Sequence, residues 1–214
     1  MSEQREITKI ESQKKNPKRK SIFLDGEFSF GIDDETFYRF GLKEGDILTK
    51  ERIDEIKDSE KKRKAKQFTF NFLSFRARTE KEIRDRLKKK GFSKKITDEV
   101  ISDLKRLDLV NDYQFALSWI GDRLDHKPRG EKLLRIELYR FGIKKELIEK
   151  ALEEVYPKKN EKEIAKGLIE KRKKRYENLE ERLAKKRMAD YLLRRGFSYE
   201  VVKEVLGSFF ETEG

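Results

Sequence analysis

One pattern recurs three times in this chain and restricts what it can fold into. Phe115, Trp119, Ile120 and Arg123 stand at offsets of zero, four, five and eight, which puts three apolar side chains on one helical stripe with a guanidinium at its margin. Forty-seven residues earlier Phe68, Phe72, Leu73 and Arg76 hold the same places, and forty-nine residues later Ile164, Leu168, Ile169 and Arg172 do. Each stripe leads to a glycine followed by an apolar residue: Gly91-Phe92, Gly142-Ile143 and Gly196-Phe197. Eight and four residues before each glycine stand Ile83 and Leu87, Leu134 and Leu138, Met188 and Leu192. Nine, ten and thirteen residues after it come Val100, Ile101 and Leu104; Ala151, Leu152 and Val155; Val205, Leu206 and Phe209. Coincidence on this scale is improbable in a chain only 35% hydrophobic. The pattern predicts three tandem three-helix repeats, with glycine in a left-handed conformation ending the second helix of each.

The repeats differ in length at one place. From the helix-one arginine to the glycine there are 15, 19 and 24 residues in successive copies. The second copy uses its extra residues for the loop His126-Lys127-Pro128-Arg129-Gly130, and the third is expected to lengthen its helices through Lys171 to Glu181. The resulting fold class is mainly α, preceded by a small α+β module containing a β-hairpin. The expected divisions are 1–58 for that module and 59–107, 108–157 and 158–214 for the repeats, the third opening after Pro157.

With charged residues at 45%, the composition suits a thin helical array with a narrow buried stripe better than one thick core. No apolar run approaches the eighteen or so residues of a membrane span, and residues Met1 to Gln13 contain no apolar signal segment. Zero cysteines exclude disulfides, Cys-ligated zinc and thiol catalysis. Net charge is +12, unevenly placed: residues 1–58 hold 12 Lys/Arg against 14 Asp/Glu, whereas residues 59–214 hold 42 against 28. A polyanion is the natural partner for that excess, the competing reading being a solvated surface of mixed charge.

In the N-terminal module, Ile7 to Ile10 is read as the start of a strand and Lys14 to Lys20 as a basic loop containing Pro17. Ser21–Leu24 and Phe28–Ile32 flank Asp25-Gly26, a strong hairpin signal. A short helix is expected from Asp34 to Phe40, ended by Gly41, and another starting near Lys50. Asp58 to Lys66 reads as a charged bridge or helix start. Phe68, Phe70, Phe72, Leu73 and Phe75 crowd one helix, at spacings that favour core over base-stacking. Thr79 with Glu82, Asn111 with Gln114 and Asn160 with Glu163 are helix-start patterns. Trp119 is expected in the core and His126, alone and without cysteine, on the surface. Arg129 beside Gly130 at a helix start can offer its fork and free amides to phosphate, with plain solvation as the alternative. Lys171 to Arg175 are five consecutive cations expected on one helix, which consecutive placement spreads around its circumference.

No phosphate-cradling glycine loop, dinucleotide fingerprint or Ser/His or Cys/His arrangement is present, and the carboxylates are scattered among lysines. The chain is therefore expected to be a non-enzyme with no catalytic residue, cofactor or metal ligand.

Taken with Leu109-Val110-Asn111-Asp112, Phe115-Ala116, Arg123, Lys127-Pro128-Arg129-Gly130 and Glu137-Leu138 before Gly142-Ile143, the chain resembles the RecX family of RecA regulators. The likeness covers about residues 60–210, and the N-terminal module is similar to an extension some members carry. The resemblance implies a curved, elongated array of three repeats acting as a cytoplasmic monomer in DNA recombination, repair and the SOS response. It implies binding to the RecA filament on single-stranded DNA, typically in the helical groove, with ATP hydrolysis, strand exchange or filament growth blocked; double-stranded DNA is a further candidate and no membrane is involved. The third repeat lacks the Asn-Asp opening and the Pro-Arg-Gly loop. Combining charge with resemblance, the candidate contacts are Arg76, Arg78, Lys127, Arg129, Lys132, Arg135, Lys173, Lys174 and Arg195. Two other readings stay open: a stand-alone DNA- or RNA-binding helical-repeat protein, and a helical scaffold for an acidic protein.

Overall fold

A computed structural model describes residues 4–155 and 160–211, so Pro157 and the division expected beside it lie outside the described residues. The described residues group into two compact units. The first runs to Arg76 and resumes over Ile83–Leu107; the second comprises Ala77–Glu82 and the residues from Asp108 onward.

The first unit opens with strands β1 (Gln4–Gln13), β2 (Asn16–Leu24) and β3 (Glu27–Asp33), then helix α1 (Asp34–Phe40), strand β4 (Ile47–Thr49) and helix α2 (Lys50–Leu73). All pairings are antiparallel and the sheet order is β3-β2-β1-β4. The Asp25-Gly26 hairpin forms between β2 and β3, both residues at positive φ (49° and 85°) as the favoured two-residue turn requires. Ile22 and Leu24 on β2 and Phe30 and Ile32 on β3 alternate inward, meeting Ile7, Leu42, Leu48, Ile53 and Ile56 in one core. Asp33 caps α1 through its carboxylate, and Gly41 ends it at φ 62°.

Four local expectations need correction. The sheet gains a fourth strand because Gln4–Glu6 pair with Ile47–Thr49 across more than forty residues. Only Lys14 and Lys15 of the basic segment Lys14–Lys20 form a turn: Asn16 onward belongs to β2, in which Arg19 and Lys20 pair with the neighbouring strands. The charged stretch Asp58–Lys66 is no bridge but the middle of the 24-residue helix α2. Of the crowded phenylalanines, Phe70 and Phe75 are exposed, Phe75 by 82%; the residues α2 buries there are Ala65 and Thr69. Helix α3 (Glu80–Lys89) and helix α4 (Lys94–Arg106) follow, with Ile83, Leu87, Ile96, Val100, Ile101 and Leu104 buried.

The second unit holds α5 (Asp112–His126), α6 (Glu131–Arg140) and α7 (Lys145–Val155). They share one core of Phe115, Ala116, Ile120, Leu124, Leu134, Leu138, Ile143, Ile148, Ala151 and Leu152. Next come α8 (Glu161–Glu170), α9 (Lys173–Tyr176), α10 (Glu181–Arg194) and α11 (Tyr199–Glu211), gathered around a second core that includes Leu168, Ile169, Met188, Leu192, Phe197 and Phe209. Ile164 packs against both cores. The five consecutive cations do not share a helix: Lys171 caps the end of α8, Arg172 precedes α9, and only Lys173–Arg175 are in that single turn. The third repeat lengthens α10, not α8.

All three expected glycines end their helices alike. Gly91, Gly142 and Gly196 have φ of 82°, 79° and 88°. The next N–H reaches back five residues each time, Phe92 to Leu87, Ile143 to Leu138 and Phe197 to Leu192, each at 3.2 Å. That is the Schellman arrangement, and it returns the following apolar side chain to the core.

Candidate interface for nucleic acid and partner protein

The second repeat's signature residues converge on one buried carboxylate. Glu137, on α6, is 9% exposed. It accepts hydrogen bonds from Trp119 Nε1 at 2.8 Å and Arg123 Nε at 3.3 Å, both presented by α5. Arg129, from the loop before α6, forms an ion pair with its other oxygen. The Arg123 guanidinium also lies 3.8 Å from the Trp119 ring centroid, and Trp119 packs edge-on against Phe141 at 4.6 Å. A buried carboxylate is tolerable only when paired and hydrogen-bonded, and these partners lock the Lys127–Gly130 loop onto the α5–α6 pair. Trp119 is accordingly half-buried with a polar duty, not the plain core residue its spacing predicts.

The same loop docks onto the third repeat. Gly130 N–H donates to the Arg195 carbonyl at 2.9 Å, and Arg195 Nη1 donates to the Pro128 carbonyl at 3.3 Å. A Cβ on Gly130 would run into the Gly196–Phe197 backbone, and one on Gly196 would run into Leu133. Both glycines are thus required by close backbone approach. A similar junction lies one repeat earlier: Thr79 Oγ1 donates to the Phe141 carbonyl at 2.8 Å, and a Cβ on Gly142 would meet Lys81.

Acidic side chains complete each junction. Asp112, the first residue of α5, accepts from Glu80 N–H at 2.9 Å; Glu161, the first residue of α8, accepts from Glu131 N–H at 3.1 Å. Each carboxylate satisfies an orphan amide at the start of the preceding repeat's second helix. The third repeat's Asn160-Glu161 therefore does the work of Asn111-Asp112, although the sequence motif looks absent there. Burial, the largest influence, raises the Glu161 pKa above the usual carboxylate value; the Glu131 N–H hydrogen bond opposes this and the Glu131 charge adds to it.

These contacts sort the nine candidate cations. Arg129 is committed to Glu137, and burial together with the charges of Arg123 and Arg195 lowers its pKa from the usual arginine value. Arg135 forms a bidentate pair with Glu149 at 2.9–3.1 Å and a second pair with Glu131 at 2.8 Å. Arg78 pairs with Glu82 at 3.5 Å, and Arg195 is held against the loop. Arg76, Lys127, Lys132, Lys173 and Lys174 are exposed. The structure thus gathers Arg129 and Arg195 with Arg123, a residue not among the candidates, while the amides expected to greet phosphate at Gly130 and Glu131 are already used. Matching Arg123 with Glu137 at fourteen residues' separation was the available signal, and it is weak without knowing that α5 and α6 pair. Exposed His126 lies at the end of α5. Among the described residues no group of three or more His, Cys, Asp or Glu is placed to hold a metal, and no helix is long and apolar enough to cross a membrane.

Fold and site define a class: a tandem three-helix-repeat protein carrying a sheet-bearing N-terminal domain. Comparison with known proteins gives the family. Residues 5–49 match the regulatory protein RecX N-terminal domain, and residues 65–104, 111–152 and 160–206 match the RecX first, second and third three-helix domains. The chain is 35% identical to regulatory protein RecX of Listeria welshimeri over 92% of this chain and 73% of that one. It is 32% identical to that of Caldanaerobacter subterraneus subsp. tengcongensis over 94% and 98%. A crystal structure of regulatory protein RecX superposes with a TM-score of 0.75 at 28% identity, covering 94% of this chain and 98% of that chain. The RecX of Lactobacillus salivarius gives 0.65 at 29% identity, covering 70% and 97%. The chain belongs to the RecX family of regulatory proteins.

Proposed function

We propose that this protein is an inhibitor of the RecA recombinase, acting in the cytoplasm on the RecA filament assembled on single-stranded DNA. The observation that carries the reading is the run of RecX matches across the N-terminal domain and all three repeats. Charge supports the polyanion half of it, since residues 59–214 carry 42 cations against 28 acids. In this reading a single copy lies in the helical groove of the filament and suppresses ATP hydrolysis and strand exchange. Its exposed cations Arg76, Lys127, Lys132, Lys173 and Lys174 face DNA phosphate or acidic recombinase surface. Arg78, Arg129, Arg135 and Arg195 set the positions of the segments that present them.

The test is a titration of recombinase ATPase on single-stranded DNA, with binding to bare single-stranded DNA, double-stranded DNA and RNA measured alongside. Groove binding predicts inhibition that grows in proportion to occupancy. Full inhibition by a few molecules per filament would instead mean end capping. Equal affinity for naked polymer and filament, with no effect on ATPase, would overturn the reading in favour of a stand-alone nucleic-acid binder.

A further inference from the structure

Between α6 and the α10–α11 corner lies a surface groove of about 430 Å³. Leu133 and Ile136 come from α6, Leu193 and Arg194 from the end of α10, Tyr199 from the start of α11, and Lys132 stands at the rim. Ile136, Leu193 and Tyr199 are 39%, 43% and 68% exposed. Neither Lys132 nor Arg194 has an ion-pair partner among the described residues.

The repeat architecture does not demand this apolar lining. Counted from the glycines, the position of Ile136 is Asp85 in the first repeat and Asp190 in the third. The position of Tyr199 is Lys94 in the first and Lys145 in the second, and that of Leu133 is Glu82 and Arg187. Where the other repeats place charge, this one corner places an isoleucine, a leucine and a tyrosine. Leu133 has a packing reason in its contact with Gly196; Ile136 and Tyr199 are exposed and belong to neither core of this unit.

We infer that this groove is a docking site for an acidic segment of the recombinase that inserts an apolar side chain between Ile136, Leu193 and Tyr199. The assignment rests on the recombinase reading and goes beyond it by naming the surface and the chemistry of its occupant. Charge complementarity selects the occupant: Lys132 and Arg194 flank an apolar floor and await carboxylates. A nucleic-acid surface would be more polar and more uniformly positive, whereas Leu133, Ile136, Leu193 and Tyr199 give this groove an apolar lining in which Lys132 and Arg194 outnumber the single acid, Glu200.

The test uses the full chain carrying Ile136→Asp with Tyr199→Lys, the residue types the other repeats hold, which leaves net charge unchanged. Probes are the recombinase filament on single-stranded DNA and the bare single-stranded oligonucleotide. The expected result is a loss of affinity for the filament of about tenfold or more, with bare DNA binding and melting temperature unchanged. Arg194→Glu, on a side chain with no described ion pair, gives a second, independent variant with the same expected loss. If the wild-type chain binds the filament and both variants bind equally well, the groove assignment is wrong while the functional reading stands. Loss confined to bare DNA would make the groove a nucleic-acid surface and overturn the inference. Failure of the wild-type chain to bind the filament removes the functional reading and the groove assignment with it.

Discussion

Two buried glutamates show how this highly charged chain places its ions. Glu60, 3% exposed in the middle of α2, accepts from Arg19 at 2.8 Å and from Asp33 N–H and Thr36 Oγ1 at 3.2 Å each. Burial pushes its pKa up, but the hydrogen bonds of Arg63, Arg19 and Asp33 N–H and the charge of Arg63 outweigh that, and the net shift is downward. A carboxylate with a lowered native pKa contributes stability above its unfolded value of about 4.3, and loses it as pH falls through the native value. Glu60→Gln is therefore expected to lower stability at neutral pH by about 3 kcal/mol, with the difference from wild type shrinking in acid unfolding curves. Glu137→Gln should cost a comparable amount, about 3 kcal/mol, because two arginines lose their buried counter-ion; urea denaturation measures it. Reversing Arg129 is expected to lower the melting temperature for the same reason, so it is a poor probe of partner binding. Glu60 did not stand out among 42 acidic residues in the sequence, and Glu137 was marked there only as part of a family motif, not as a buried ion. Burial of a charge is decided by what folds over it.

Among the elements, the helix ends carry the organisation. Gly91, Gly142 and Gly196 were legible because a left-handed residue is a local requirement that only glycine meets without strain. Their different neighbours were not legible. A Cβ on Gly91 would meet nothing within 4 Å, while one on Gly196 would run into Leu133. Gly91→Ala is expected to cost about 1 kcal/mol from backbone strain alone, and Gly196→Ala about 3 kcal/mol or more because strain and overlap add. Thermal melts of the two variants should separate clearly. At the start of α6 the acid comes from another repeat, and its pKa is shifted the opposite way to that of Glu60. The raised value of Glu161 means the native state holds the proton more tightly, so the ionised form weakens the fold at neutral pH and stability is regained as pH falls through the raised value. Glu161→Gln, which keeps an oxygen to accept from Glu131 N–H, is expected to raise the melting temperature at pH 7, with the advantage vanishing near the unfolded pKa of about 4.3.

For the molecule as a whole, the relevant quantity is the charge carried by its repeats. Replacing Lys173 and Lys174 with glutamine should flatten the dependence of DNA affinity on salt by about 0.7 per lost phosphate contact on a single strand, leaving stability nearly unaffected because both side chains are exposed. Equal salt slopes for wild type and variant would remove α9 from the nucleic-acid surface.

The amino-acid sequence by itself determined the periodic structure: three helical repeats, their glycine ends, the Asp25-Gly26 hairpin and the concentration of positive charge after residue 58. Those properties come from side-chain spacing and backbone conformation within a few turns of chain. Tertiary structure alone decided that β1 would reach β4, that Arg129 would serve Glu137 instead of a phosphate, and that Ile136 and Tyr199 would share a groove. Each of those depends on segments distant in sequence being packed together, where desolvation and close contact assign roles that residue type and spacing leave undetermined.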